Sequence, residues 1–116
     1  ENIDFARGST GFKITLADKT LVNLGDTVLQ KEWEGLKPDV LMIPIGGRVC
    51  SNTMDEAEAL RAVKLIKPKK VIPCHYNGDF LWRKNINPAD DEMFKREVEK
   101  MGIECHIMQH GDVIEL

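Results

Sequence analysis

The chain has 116 residues, enough for one domain with a core, and its 42% hydrophobic and 30% charged content excludes a disordered segment. Its 16 basic and 19 acidic residues leave a net charge of −3, which disfavours a nucleic-acid partner because binders of the phosphate backbone concentrate Lys and Arg on one face. No apolar run approaches the ~20 residues that cross a bilayer, so no membrane partner is expected.

The first stretches of the chain read as β structure. Phe12-Lys13-Ile14-Thr15-Leu16 alternates apolar and polar and predicts a half-buried strand; Ala17-Asp18-Lys19 turns it back into a second strand over 20–24, giving a hairpin. That strand ends at Gly25-Asp26-Thr27, a sharp turn presenting a carboxylate. Leu29, Trp33 and Leu36 recur at helical spacing over a short segment that Gly35 and Pro38 cut off. Residues 39–45 follow as a buried strand, running into Pro44-Ile45-Gly46-Gly47 and a loop over 48–52.

Thr53 with Glu56 three residues on reads as a capping box, and Ala57, Leu60, Val63 and Ile66 form the apolar stripe of the helix it opens. Pro68 ends that helix. Val71-Ile72-Pro73-Cys74 is the next buried strand and delivers His75 to a sheet edge, which completes a β-α-β crossover. The loop over 76–86 carries Tyr76, Phe80 and Trp82, an aromatic content that points to a functional loop. Asn87 with Pro88 predicts the start of a second helix with a Phe94, Val98, Met101 stripe and a C-terminal Gly102. Residues 103–108, a turn over 109–112, and 113–116 predict a closing hairpin or bent edge. The whole, 1–116, reads as a single α/β unit.

One strand ending in Asp26 and another ending in His75 is the arrangement that carries chemistry. Carboxylate and imidazole are common ligands of zinc and similar divalent ions, although a structural zinc takes four protein ligands and a catalytic one usually three. Each residue also has a plain reading, Asp26 as a turn-capping aspartate and His75 as a hydrogen-bonded strand-end histidine. Gly46-Gly47 reads as a loop rather than a phosphate cradle, since no Gly-Lys-Ser/Thr follows. Cys74 reads as a buried structural thiol facing away from His75; His106 and His110 read as surface or packing residues. The three cysteines, Cys50, Cys74 and Cys105, are odd in number and lack C-x-x-C spacing, which predicts a reducing, cytoplasmic setting. An opening of Glu1-Asn2-Ile3, without an initiator Met, gives the expectation of a fragment.

Val22-Asn23-Leu24-Gly25-Asp26-Thr27, Pro38-Asp39-Val40-Leu41-Met42-Ile43-Pro44-Ile45-Gly46-Gly47, Thr53-Met54-Asp55-Glu56-Ala57 and Pro68-Lys69-Lys70-Val71-Ile72-Pro73-Cys74-His75-Tyr76 together resemble the C-terminal half of the metallo-β-lactamase-like hydrolases, in the branch related to ascorbate-6-phosphate lactonase. The resemblance implies an αββα sandwich, of which this chain is one half, a mixed sheet with helices packed on one face. It implies two divalent metal ions, zinc or manganese, with Asp26 as the bridging ligand, His75 as a ligand of the second ion, and both as the catalytic pair. It also implies a small-molecule ester, lactone or phosphodiester-type substrate attacked by water held between the ions, with Gly46, Gly47, Thr53 and Tyr76 in loops beside the site. The His-x-His-x-Asp-His motif of that family is absent here. The expectations are therefore a missing N-terminal half as partner, no catalysis by the chain alone, and self-association through an uncovered apolar sheet face. A non-catalytic α/β binding or scaffold module is the alternative.

Overall fold

The computed structural model describes residues 11–49 and 52–116. Strands β1 (Phe12–Leu16), β2 (Lys19–Asn23), β3 (Val40–Pro44), β4 (Lys70–Cys74) and β5 (Glu104–Cys105) form one five-stranded sheet in sequence order. β1 pairs antiparallel with β2, and β2 through β5 run parallel. Helices α1 (Glu56–Ile66) and α2 (Asp91–Lys100) make the last two crossovers, and a single 3₁₀ turn at Lys31–Trp33 occupies the first. The predicted helical segment around Trp33 is thus no more than that turn, since Gly35 and Pro38 leave no room for an α-helix.

Register places Val22, Leu41, Val71 and Cys105 in one row across the sheet. Ala59, Ala62, Val63 and Ile66 of α1 and Phe94 and Val98 of α2 pack on that row in a common core, so both helices cover the same face. Burying each such aliphatic or aromatic side chain contributes about 1.5–3 kcal/mol before the cost of ordering it, which makes this face the main source of stability.

Several expected details differ. The N-cap of α1 is Asp55, whose side chain accepts from Glu58 N at 2.8 Å while Glu58 reaches back to Asp55 N, so the capping box lies two positions beyond Thr53. The buried stripe is Glu56, Ala59, Ala62, Val63 and Ile66, while Ala57 is exposed and Leu60 half-buried. α2 starts at Asp91 under an Asp90 cap rather than at Asn87, because Asn87 closes the preceding loop instead. The closing segment contributes only the two residues of β5; a turn forms at Gln109 to Asp112, and no strand follows it.

β1 is exposed along its whole length, not half-buried. Phe12, Ile14 and Leu16 are 62%, 54% and 74% exposed and belong to the sheet face opposite the helices, where Ile14 pairs with Leu21 and Leu21 with Val40. The alternation of Phe12 to Leu16 is real, but the cover for its apolar side is absent from the described residues.

Candidate metal site

The two edges of the parallel sheet carry different chemistry. At the N-terminal edge, Asp39 Oδ2 accepts from Thr20 N at 2.8 Å, Asp39 Oδ1 lies 2.9 Å from Lys69 Nζ, and Lys70 N donates to Asp39 O at 3.0 Å. These bonds tie the starts of β2, β3 and β4 together. The Thr20 N–H and the Lys69 ammonium hold the Asp39 carboxyl down at about 2.

At the C-terminal edge, where open α/β sheets gather ligands, the chain leaves β2 and β4 in two tight turns. Gly25 N donates to Asn23 Oδ1 at 3.0 Å, and Gly25 adopts φ 65, a left-handed conformation natural to glycine; the turn thrusts Asp26 outward. His75 follows Cys74 directly and also adopts a left-handed backbone, φ 54, which is costly for a residue with a Cβ. The result is that His75 Nδ1 lies 3.3 Å from Asp26 Oδ1, with side chains 41% and 54% exposed. Both groups therefore keep open coordination directions toward solvent.

The loop leaving β3 wedges between these turns. A Cβ on Gly46 would collide with the His75 and Asn87 carbonyl oxygens, and one on Gly47 with the Thr53 carbonyl, so both positions require glycine for close approach. Gly47 N donates to Met54 O at 2.7 Å and closes the loop on the start of α1. Thr53 is 2% exposed, and its hydroxyl has no partner among the described residues. Tyr76 is turned inward, packed against the core with its hydroxyl donating to Asp91 Oδ2 at 3.1 Å; burial and the Asp91 carboxylate push its phenol upward. Burial likewise raises the half-buried Cys74 thiol and pushes Cys105 up to about 12; Cys50 lies outside the described residues. His106 pairs with Glu104 at 3.1 Å on the half-exposed edge, away from the pair.

The aromatic loop is a built structure. Phe80 and Arg83 exchange backbone hydrogen bonds at 2.9 Å each, and Asp79 Oδ1 accepts from Asn85 N at 2.7 Å. Gly78 N donates to Asn87 Oδ1 at 2.7 Å. Trp82 stands at its tip, 83% exposed.

One relationship escaped the sequence reading. Glu56, 5% exposed, accepts from the Arg48 guanidinium and from Asp90 N, the latter at 2.8 Å, and so ties the β3 loop to the start of α2. A charged residue on the buried stripe of α1 is the signal that could have found it, because a buried carboxylate needs a partner.

The Asp26 and His75 donor set suits a divalent transition metal in kind, hard oxygen beside imidazole nitrogen, but not in number. Among the described residues no three His, Cys, Asp or Glu side chains come together in a way that could hold an ion. The pair alone does not make a metal site.

Comparison with known proteins agrees with the fold. A model of the beta-lactamase superfamily domain matches residues 4–75. A UPF0173 metal-dependent hydrolase of Nanoarchaeum equitans is 39% identical over 113 residues, covering 94% of this chain and 49% of that protein. One of Natranaerobius thermophilus is 36% identical over 111 residues, covering 91% and 46%. The solved structure of Igni18, a metallo hydrolase from Ignicoccus hospitalis, superposes with a TM-score of 0.75 at 34% identity over 90% of this chain and 44% of that one. The chain spans about half the length of the curated relatives it matches. With a family model matching more than half of its residues, and a mixed sheet with both helices on one face, the chain belongs to the metallo-β-lactamase superfamily.

Proposed function

We propose that this chain is the C-terminal half of a binuclear metal-dependent hydrolase, and that Asp26 bridges two divalent ions, zinc or manganese, while His75 binds the second. The observation that carries the reading is the 3.3 Å approach of His75 Nδ1 to Asp26 Oδ1 at the C-terminal edge of a parallel sheet. Bound metal supplies Lewis acidity and a nucleophile usable near neutral pH, which suits ester, lactone or phosphodiester-type substrates. The turns at Gly25 and His75 fix the two donors, and the loop of Gly46, Gly47 and Thr53 walls the site on the β3 side. The remaining ligands come from the N-terminal half, which packs on the sheet face bearing Phe12, Ile14 and Leu16. The two free thiols described, Cys74 and Cys105, support a reducing cytoplasmic setting. No helix among the described residues is long and apolar enough to cross a membrane.

The test is metal content and hydrolysis of generic esters and phosphodiesters by the full-length protein and its Asp26→Ala and His75→Ala variants. Each variant is expected to lose metal affinity by at least about tenfold, with turnover falling alongside. Variants that keep wild-type metal content and turnover refute the assignment. The isolated chain is expected to bind metal weakly and to turn over nothing. A second reading, a non-catalytic α/β binding or scaffold module, is favoured by the lack of any third donor beside the pair among the described residues. Full-length protein free of metal and of activity would support it.

A further inference from the structure

We propose that Arg48 binds an anionic group of the substrate, a carboxylate or a phosphate, and that Glu56 is the positioning residue that holds it in place. The inference rests on the hydrolase reading above and deepens it by naming the charge class of substrate. β3 lies between β2 and β4, so the loop that leaves its C-terminal end emerges between the turns bearing Asp26 and His75. Gly46 in that loop abuts the His75 carbonyl, and Arg48 follows it with a side chain 52% exposed. At the far end of the same loop stands the Thr53 hydroxyl, buried and without a partner among the described residues. A buried hydroxyl left unpaired is costly, and a ligand oxygen or a bound water is the ordinary remedy.

The guanidinium is held from one side only. Its Nη2 donates to Glu56 Oε1, and Glu56, with a side chain 6% exposed, is itself fixed by the Asp90 N–H at 2.8 Å. Arginine has five N–H donors in a planar fork, and its other donors find no acceptor among the described residues. A guanidinium clamped in this way loses little further side-chain freedom when an anion binds to its open edge, so the charge-assisted hydrogen bonds appear largely as affinity. A purely structural Arg48 would do no more than neutralise Glu56. In that case it becomes dispensable once Glu56 loses its charge, which gives the means of telling the two roles apart.

The experiment uses the full-length, metal-loaded protein and three matched probes, benzoate, phenyl phosphate and neutral benzamide, with binding read by calorimetry. The wild type is expected to bind at least one of the two anions about tenfold or more tightly than benzamide, as one charge-assisted hydrogen bond allows. Which anion wins identifies the group. Because Arg48→Met alone strands a buried carboxylate, the deciding variant is the double change Arg48→Met with Glu56→Gln, whose amide oxygen still accepts from Asp90. It is expected to fold and to bind the favoured anion about tenfold or more weakly than the wild type, with benzamide binding unchanged. A wild type that binds neither anion, or binds all three equally, overturns the proposal, and so does a double variant that binds the favoured anion as tightly as the wild type. Metal content and turnover of p-nitrophenyl acetate, measured on the same samples, separate the two readings. A protein without metal or turnover fails the hydrolase assignment, whereas an active, metal-loaded protein indifferent to charge fails this one.

Discussion

His75 Nδ1 and Asp26 Oδ1 meet at 3.3 Å across the end of β3, the strand that separates their own. The backbone brings them together, through left-handed conformations at Gly25 and at His75 and through Gly46, packed against the His75 carbonyl. The contact is therefore sensitive to anything that displaces either turn.

Gly46→Ala is such a displacement, since the new methyl meets the His75 carbonyl. Overpacking of this kind costs roughly 1–3 kcal/mol. The expected result is a matching loss in chemical denaturation, together with weaker metal binding by the full-length protein. Wild-type stability and metal affinity in that variant would show that the loop does not brace His75.

Acid should loosen the N-terminal edge. The ordinary Asp39 value is 3.8 and the folded value about 2, so between them the folded chain keeps the carboxylate while the unfolded chain takes up a proton. Stability from this group is complete above about pH 4 and drains away as pH falls toward 2. Asp79, accepting from Asn85 N and Lys84, and Glu97, paired with Lys100, are also lowered and act with the same sign. Asp39→Asn is expected to lower Tm near neutral pH and to flatten its fall below pH 4. An unchanged acid limb would remove Asp39 from the account.

The two sheet faces should respond oppositely to substitution. Phe94→Ala, within the core between α2 and the sheet, is expected to cost about 3–5 kcal/mol. Replacing Phe12, Ile14 and Leu16 by Thr is expected to change stability little, because all three are exposed. The same triple change is expected to abolish self-association of the isolated chain, which we expect to form a dimer or larger assembly through this face. Light scattering at high concentration decides it, and a monomeric wild type would dismiss the assembly.

At the start of α1, Asp55→Ala should cost about 1 kcal/mol, the usual loss on removing an N-cap. Thr53→Val keeps the shape and deletes an unpaired buried hydroxyl, so it should be neutral or stabilising by up to about 1 kcal/mol in the unliganded protein. Urea unfolding of the two variants checks both, and a costly Thr53→Val would reveal a partner for that hydroxyl.

The strands and the Asp26 and His75 edge were legible because short continuous apolar runs such as Val40 to Ile43, bounded by Pro38 and Gly46, fit buried strands, and each run ends where a polar residue turns out. Helix starts were less legible. Thr53, Asp55 and Asp90 are all acceptable caps by residue type, and spacing alone does not say that Asp55 and Asp90 take the bonds from Glu58 N and Met93 N, or that Ala59 and Ala62 are the fully buried positions. The exposure of Phe12, Ile14 and Leu16 was illegible in principle, since alternation reports which side is apolar and not whether anything covers it. Arg48 and Glu56 were missed because a loop residue and a helix residue betray no pairing by spacing alone.

The left-handed backbone of His75 means that the chain tolerates its imidazole at a position where glycine would sit more easily. Non-glycine residues in that region carry a penalty of order 1–3 kcal/mol, so His75→Gly should yield a more heat-resistant protein with its chemistry gone. A selection scheme rewarding thermal robustness alone would discard this histidine early, and its survival in such a scheme would mean that the imidazole repays its conformational strain through the fold itself.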